Sequence, residues 1–343
     1  MEKNYQVVFA EQNKVVLNET EIPTPGPGEV LFKSVVSQIS TGTELTMLEA
    51  NVEPGSPWLI HNIHYPILPG YSNAGIIVEV GEGIDKNLIG KRYMTDSTHA
   101  RYSVLNDSNC LYAIPDNVNY DEAVFAVIAQ ITLGNTRAAN IRMGETVVVF
   151  GAGLIGQTAA RFAKIAGALN VIVADISDFR LNLIPDDSVF TTVNTQKEDI
   201  LEVIKKLNRG NLADVVFETT GNQSLTQMQL ECLTNNGRFI VTSSPKGKSI
   251  IDLDYCSRMG ITIIGAHNWA VHPEVATSHN PWTKHRDSEY FLQLLEKNQL
   301  SVKNLITHRA NFKDAVDMYK MLVEDRTRAM AVHLYWEDDK TCL

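Results

Sequence analysis

The sequence predicts an α/β chain of two domains, a β-rich module followed by a doubly wound parallel sheet. The chain has 343 residues, too many for one ordinary core and typical of two domains of about 100–200 residues each. Up to Asp121 its apolar residues come in short runs punctuated by turn chemistry, as in Pro23-Thr24-Pro25-Gly26-Pro27-Gly28-Glu29 ahead of Val30–Val36. From Glu145 near-continuous apolar runs alternate with stretches of helical period, the pattern of strands buried on both faces of a parallel sheet with helices between them.

In the first module Gln6–Phe9, Val30–Val36 and Asn73–Gly81 read as strands, and Tyr102–Val104 and Leu111–Pro115 add two short ones. Irregular strands of this kind fit a small barrel. Asp121–Ala139 carries its apolar residues at helical spacing. Glu145–Phe150 then predicts a buried strand, followed by a helix through Ala166 that Gly167 is suited to end, and by a strand at Asn170–Ala174. This is a βαβ unit. The alternation continues with a helix over Ile200–Leu207, a strand over Val215–Phe217, a helix over Leu225–Leu233, and strands over Arg238–Val241 and Ile261–Ile264. A polar segment rich in His, Asn and Trp precedes helices near Ser288–Lys297 and Lys313–Val323.

Composition narrows the function. The formal charge is −10, from 40 acidic and 30 basic residues with no basic cluster, which argues against nucleic-acid and anionic-membrane partners. A charged fraction of 20% with 44% hydrophobic residues is that of a folded globular chain rather than a disordered one. Cys110, Cys232, Cys256 and Cys342 form no CxxC pair, so reduced thiols are expected in place of disulfides or a thiolate zinc knuckle. The N-terminus lacks a basic-then-apolar leader and no stretch reaches a membrane span of about 18 apolar residues. A cytoplasmic protein acting on a small molecule is the expectation.

Gly151-x-Gly153-x-x-Gly156 holds the most specific chemistry. Gly151 permits a tight turn, Gly153 lets backbone amides approach a pyrophosphate, and Gly156 allows close helix–strand packing, with Leu154 and Ile155 opening a helix whose N-terminus is partially positive. The motif follows an apolar strand, and Asp175 ends the next strand, so a dinucleotide site is expected. A carboxylate at Asp175 would accept from ribose hydroxyls and repel a 2′-phosphate, favouring NAD over NADP. Two alternatives stand beside this: Asp175 as a helix N-cap, and Arg180 as a partner for a 2′-phosphate.

The chain resembles the medium-chain dehydrogenase/reductase superfamily at Pro25-Gly26-Pro27-Gly28-Glu29-Val30, Thr41-Gly42-Thr43-Glu44, Pro69–Gly75, Val78-Glu79-Val80-Gly81, the glycine loop and Leu305–Arg309. The resemblance implies a GroES-like catalytic domain at residues 1–127 and 268–343, split around a Rossmann NAD-binding domain at residues 128–267, and a homodimer or higher homo-oligomer. It also exposes departures. Where zinc members carry a ligating Cys, a ligating His and its adjoining Glu, this chain has Thr41, Tyr71 and Ser72, and where a further ligand would fall it has Ala129-Gln130. The four-cysteine structural lobe is missing as well. Such side chains cannot build a tetrahedral nitrogen–sulfur site, so no zinc is expected. A site reassembled from His61, His64, His267, His272 and His279 would lack Cys, Asp or Glu at ligand spacing. Gly42-Thr43-Glu44 and Ala129-Gln130 resemble the branch of glycoside 3-dehydrogenases.

By position the resemblance assigns Thr43 to the reacting hydroxyl and Thr46 to the place of a relay histidine. It makes Glu44 face Tyr71 as a carboxylate–phenol general base, or serve as a structural partner instead. His267 has the best positional claim to acid/base work, although it can equally be an ordinary loop histidine. Thr220, Gly265 and Ala266 fall along the cofactor. Asn268, His279, Asn280 and Trp282 are the kit for a polyhydroxylated substrate, with Gln130 and Asn62 adding hydrogen bonds. The leading expectation is thus an NAD-dependent oxidoreductase of a sugar, glycoside or cyclitol alcohol. A reductase of apolar carbonyls or enones, and a non-catalytic dinucleotide-binding relative, are the alternatives.

Overall fold

The computed structural model describes residues 2–55, 57–61, 63–106, 112–245 and 247–337. Asn62, Cys110, Leu111 and Cys342 lie outside them. Two compact units result, one of residues up to Val127 together with those from Ser288 onward, the other of Ile128–Asp287. No helix among the described residues is long and apolar enough to cross a membrane.

Six parallel strands form the sheet of the second unit, in the order Phe190–Asn194, Asn170–Asp175, Thr146–Phe150, Ala213–Glu218, Leu233–Val241, Thr262–Gly265. Numbered along the chain this is 3-2-1-4-5-6, the doubly wound order that places ligands at the carboxyl ends of the strands where the order reverses. Alternation builds the core on both faces. Val147, Val149, Val171, Val173 and Phe217 pack on Ala159, Ala160 and Ala163 of the helix Leu154–Ile165. Val148, Phe150, Ile172 and Val216 pack on Ile200, Ile204 and Leu230 on the other side. Gly167, at φ 102°, follows the end of the Leu154–Ile165 helix as expected.

In the first unit the long strand Glu29–Ile39 is central. It pairs antiparallel with Asn73–Val80, with Tyr102–Asn106 and with Ala331–Tyr335 from the chain's far end. A hairpin of Asn4–Glu11 and Lys14–Thr20 stands apart from this sheet. Phe9, Leu45, Phe312, Tyr319 and Trp336 share one core, with Trp336 stacked on Phe312 at 5.3 Å and Phe9 edge-on to Tyr319 at 5.1 Å.

Several expectations are corrected. The segment 268–287 belongs to the second unit, and the chain returns to the first at Ser288 rather than at 268. Buried Asp287 explains this, since it binds Arg137 and His272 of that same unit. The helix expected over Leu225–Leu233 spans Thr226–Glu231, because Leu233 already pairs with Ala213 in the sheet. Asp121–Ala139 divides into Tyr120–Ala123, capped by Asn119, and Ala126–Ala139. Phe190–Asn194, an edge strand built on two threonines, has no apolar run to announce it.

His333 lies buried on Ala331–Tyr335, with Nε2 3.2 Å from Gln38 Oε1 and Nδ1 3.7 Å from Asp121 Oδ1. Desolvation holds its pKa below the ordinary histidine value, against the pull of Asp121. Below about pH 6.5 the unfolded chain therefore takes up a proton that the folded chain refuses, and stability falls as the pH drops towards the folded pKa. The melting temperature should decline between about pH 7 and pH 5.5, and His333→Gln should flatten the decline. Parallel profiles for the two proteins would remove His333 as its source.

Candidate dinucleotide and hydroxyl sites

The glycine loop lies at the carboxyl end of the central strand Thr146–Phe150. Gly151 sits at φ 96°, and a Cβ on Gly156 would stand 1.7 Å from the Gly151 carbonyl oxygen, so neither position tolerates a side chain. Gly153 is the N-cap of Leu154–Ile165; no side chain caps it, and a Cβ there would meet nothing within 4 Å. An uncapped N-terminus approached by open glycine backbone matches an anionic pyrophosphate, so these residues fit a dinucleotide.

Asp175 is tied to the loop directly. Its Oδ2 accepts from Ala152 N at 2.7 Å and its Oδ1 from Ser177 N at 2.8 Å. The helix-cap alternative is corrected: Ser177 caps Asp178–Leu181, accepting from Arg180 N at 3.4 Å. Arg180 lies in that short helix, its carbonyl accepting from Gln157 Nε2 at 2.8 Å. Next along the sheet edge, Thr220 donates its hydroxyl and its amide to Glu218 Oε1, each at 2.7 Å. Gly265 is exposed and Ala266 buried at the end of the last strand.

His267 is exposed just before the turn Asn268–Val271, and its carbonyl accepts from Ala270 N at 2.7 Å. The rest of this segment is more structural than the sequence suggested. Trp282 lies under the guanidinium groups of Arg137, at 3.2 Å from its ring centre, and of Arg286, at 4.0 Å. Arg137 also donates to Asp287 Oδ1 at 2.8 Å, while His272 Nε2 lies 3.0 Å from Asp287 Oδ2. Asn280 closes a turn with Thr277 and accepts from Trp282 N at 3.2 Å. His279 is exposed, and Gln130 is buried on Ala126–Ala139.

In the first unit the expected Glu44–Tyr71 pair does not form. Tyr71 donates to Ser40 Oγ and lies 3.5 Å from Thr43 Oγ1. Burial pushes its pKa up to about 12, with the Glu44 charge adding to the rise and the Ser40 and Thr43 hydrogen bonds opposing it. Glu44, fully buried in the helix Thr43–Glu49, turns away into the core. It accepts from Ser40 N at 3.0 Å and from the Tyr319 phenol, and His99 Nε2 stands 3.2 Å from its Oε2. Burial, followed by the neighbouring carboxylate, holds the Tyr319 phenol neutral well above its ordinary range. Ser37 completes the set, 2.8 Å from His99 Nδ1 and accepting from Trp336 Nε1 at 2.9 Å. Thr46 spends its hydroxyl on the Gly42 carbonyl at 2.9 Å. Ser40, His99 and Tyr319 were not among the expected site residues; 55 and 275 residues separate the latter two from Glu44, and no local pattern joins them.

Residues 155–278 match the zinc-binding dehydrogenase family. The L-threonine 3-dehydrogenase of Pyrococcus furiosus is 28% identical over 330 residues, covering 85% of this chain and 87% of that protein. Sorbitol dehydrogenase 1 of Saccharomyces cerevisiae is 24% identical over 290 residues, 74% and 77% of the two chains. Over most of its length the chain is similar to these dehydrogenases. Its fold is that of galactitol-1-phosphate dehydrogenase from Escherichia coli, with a TM-score of 0.81 at 21% identity over 97% of this chain and 100% of the other. Beside the zinc-binding dehydrogenases that it resembles, this chain departs in its donor set. Thr41, Tyr71 and Ala129 offer no thiolate, imidazole or carboxylate, and among the described residues no three His, Cys, Asp or Glu side chains converge on a metal-sized site. These residues do not fit a catalytic zinc.

Glu44→Ala would strand the Ser40 amide, the Tyr319 phenol and His99 in the core, an expected loss of about 3–5 kcal/mol. Tyr319→Phe, which removes one donor only, should lose about 1–2 kcal/mol. Denaturant unfolding checks both. A Glu44→Ala protein as stable as the unsubstituted chain would show that Glu44 is not the structural hub drawn here.

Proposed function

We propose that this protein is an NAD-dependent oxidoreductase moving a hydride between nicotinamide and a secondary alcohol or ketone on a sugar, glycoside or cyclitol, without catalytic zinc. The observation that carries the reading is the replacement of metal-ligand chemistry by converging hydroxyls, Tyr71, Ser40 and Thr43, in a chain whose dinucleotide loop is intact. Relatives named as dehydrogenases of threonine, sorbitol and galactitol 1-phosphate, all hydroxylated compounds, support the alcohol class.

The bound dinucleotide supplies the hydride acceptor. Gly151, Gly153, Leu154, Ile155 and Gly156 would hold its pyrophosphate, and Asp175 would accept from the ribose hydroxyls and disfavour a 2′-phosphate. Thr43 and Tyr71 orient the reacting oxygen by hydrogen bonding. Tyr71 stays protonated, its pKa being about 12, so it positions rather than deprotonates. The buried, hydrogen-bond-saturated Glu44 is likewise withdrawn from base chemistry. His267, exposed at the end of the last sheet strand, is assigned as the proton acceptor. Asn268 and His279 offer polar contacts to a polyhydroxylated ring.

Assayed with NAD on a panel of polyols and glycosides, His267→Ala should lower kcat by roughly 10²–10⁴ with NADH affinity unchanged. Full activity in that variant would end its assignment as the base, and no turnover on any polyol or glycoside would end the reading itself. NAD should be preferred to NADP, and Asp175→Asn, which keeps an acceptor for Ala152 N, should narrow the preference; equal wild-type kcat/KM for the two would refute it.

Elemental analysis of the purified protein should find no stoichiometric zinc, and chelation should leave turnover unaffected. One zinc per chain whose removal abolishes activity would overturn the zinc-free mechanism.

A further inference from the structure

Two residues outside the glycine motif fix the shape of the loop. Thr219 N donates to Phe150 O at 3.0 Å, and its hydroxyl proton is shared between Phe150 O at 2.7 Å and Gly151 O at 3.0 Å. The same oxygen would stand 2.8 Å from a Cβ on Gly151 and 3.1 Å from one on Gly156. The hydroxyl therefore fills the notch that the two glycines open, and it grips the carbonyl over which the helix passes.

Glu218 holds Thr219 in turn. Its Oε1 accepts from Thr220 N, Thr220 Oγ1 and Gly221 N at 2.7, 2.7 and 2.9 Å, and its Oε2 from Ser243 Oγ. Its own carbonyl accepts from Thr242 N at 3.0 Å and Ser243 N at 3.1 Å. Glu218 is only 4% exposed, and the four donors to its carboxyl group, two amides and two hydroxyls, are all neutral. A carboxylate buried among neutral donors is poor value for stability, because an apolar residue of similar volume avoids its desolvation. What it provides is geometry: three directed bonds from Thr220 and Gly221 fix the turn 218–221 and with it the azimuth of Thr219, and a fourth ties the turn to Ser243.

We infer that Glu218 and Thr219 are positioning residues for the dinucleotide, setting the pyrophosphate loop through the Gly151 carbonyl. The inference rests on the reading of this loop as the NAD site. Glu218 acts through Thr219 and Thr220.

The test is a titration of the full-length protein with NADH, followed by nicotinamide fluorescence, on wild type, Thr219→Ser, Thr219→Val and Glu218→Gln, with a thermal melt of each. Thr219→Ser keeps the hydroxyl and should bind as wild type does. Thr219→Val keeps the volume and loses both hydroxyl hydrogen bonds, and Glu218→Gln, with one acceptor oxygen in place of two, cannot accept from both Ser243 Oγ and the turn 220–221; each should weaken NADH binding about tenfold. The KM for NAD should rise in step while kcat is retained. Binding by both variants within twofold of wild type would overturn the inference, as would an equal loss in Thr219→Ser and Thr219→Val, which would make packing the cause. If Thr219→Val does not fold, Glu218→Gln decides. Wild type that binds no NADH would refute the reading of the loop and the inference with it, an outcome distinct from weakened variants beside a wild type that binds.

Discussion

The close passage of the Gly156 backbone over the Gly151 carbonyl governs the second unit. With a Cβ placed only 1.7 Å from that oxygen, any side chain would push the helix Leu154–Ile165 off the sheet. The alanines 159, 160 and 163 would then lose their bed on Val147, Val149, Val171 and Val173. The same approach aims the helix N-terminus at the crest of the sheet, where the strand order reverses. Packing and anion recognition thus follow from one backbone contact, and Thr219 from one side and Asp175 from the other hold the loop in register with it.

A corresponding role in the first unit falls to a buried carboxyl group. Glu44 joins its own helix start, the segment around His99 and the late helix Ala315–Asp325 at a single carboxylate. With Glu44 fixed inward, the start of its helix presents Ser40 and Thr43 to Tyr71. The hydroxyls proposed to touch substrate are therefore placed by a group that does not touch it. A residue that looked catalytic by position became architectural, and the polar chemistry passed to its neighbours.

Much of this was legible in the chain. Periodicity marked the sheet because Thr146–Phe150 and its neighbours are buried on both faces and so read as unbroken apolar runs. The glycine motif was legible because each glycine answers a steric demand of its own. The edge strand Phe190–Asn194 was silent, since half-exposed threonines satisfy an edge without an apolar signature. The Glu44 hub was silent for another reason: its partners come from three distant stretches, and only the completed fold adds them together. Trp282 misled because an indole beside amides suggests a sugar platform, whereas two guanidinium groups claim it here.

The pairing of Glu29–Ile39 with Ala331–Tyr335 bears on the order in which the molecule is made. Its second unit is one continuous stretch, Ile128–Asp287, whose contacts can all form once that stretch has left the ribosome. The first unit is begun earlier, and its central strand finds Asn73–Val80 and Tyr102–Asn106 early, yet one edge of its Val36–Ile39 end lacks a partner until Ala331–Tyr335 emerges. Domains generally fold as units during synthesis, and the second unit has all its residues before Ala331–Tyr335 is made. The N-terminal strands wait, with an unpaired edge open to wrong partners, through the synthesis of the whole inserted domain.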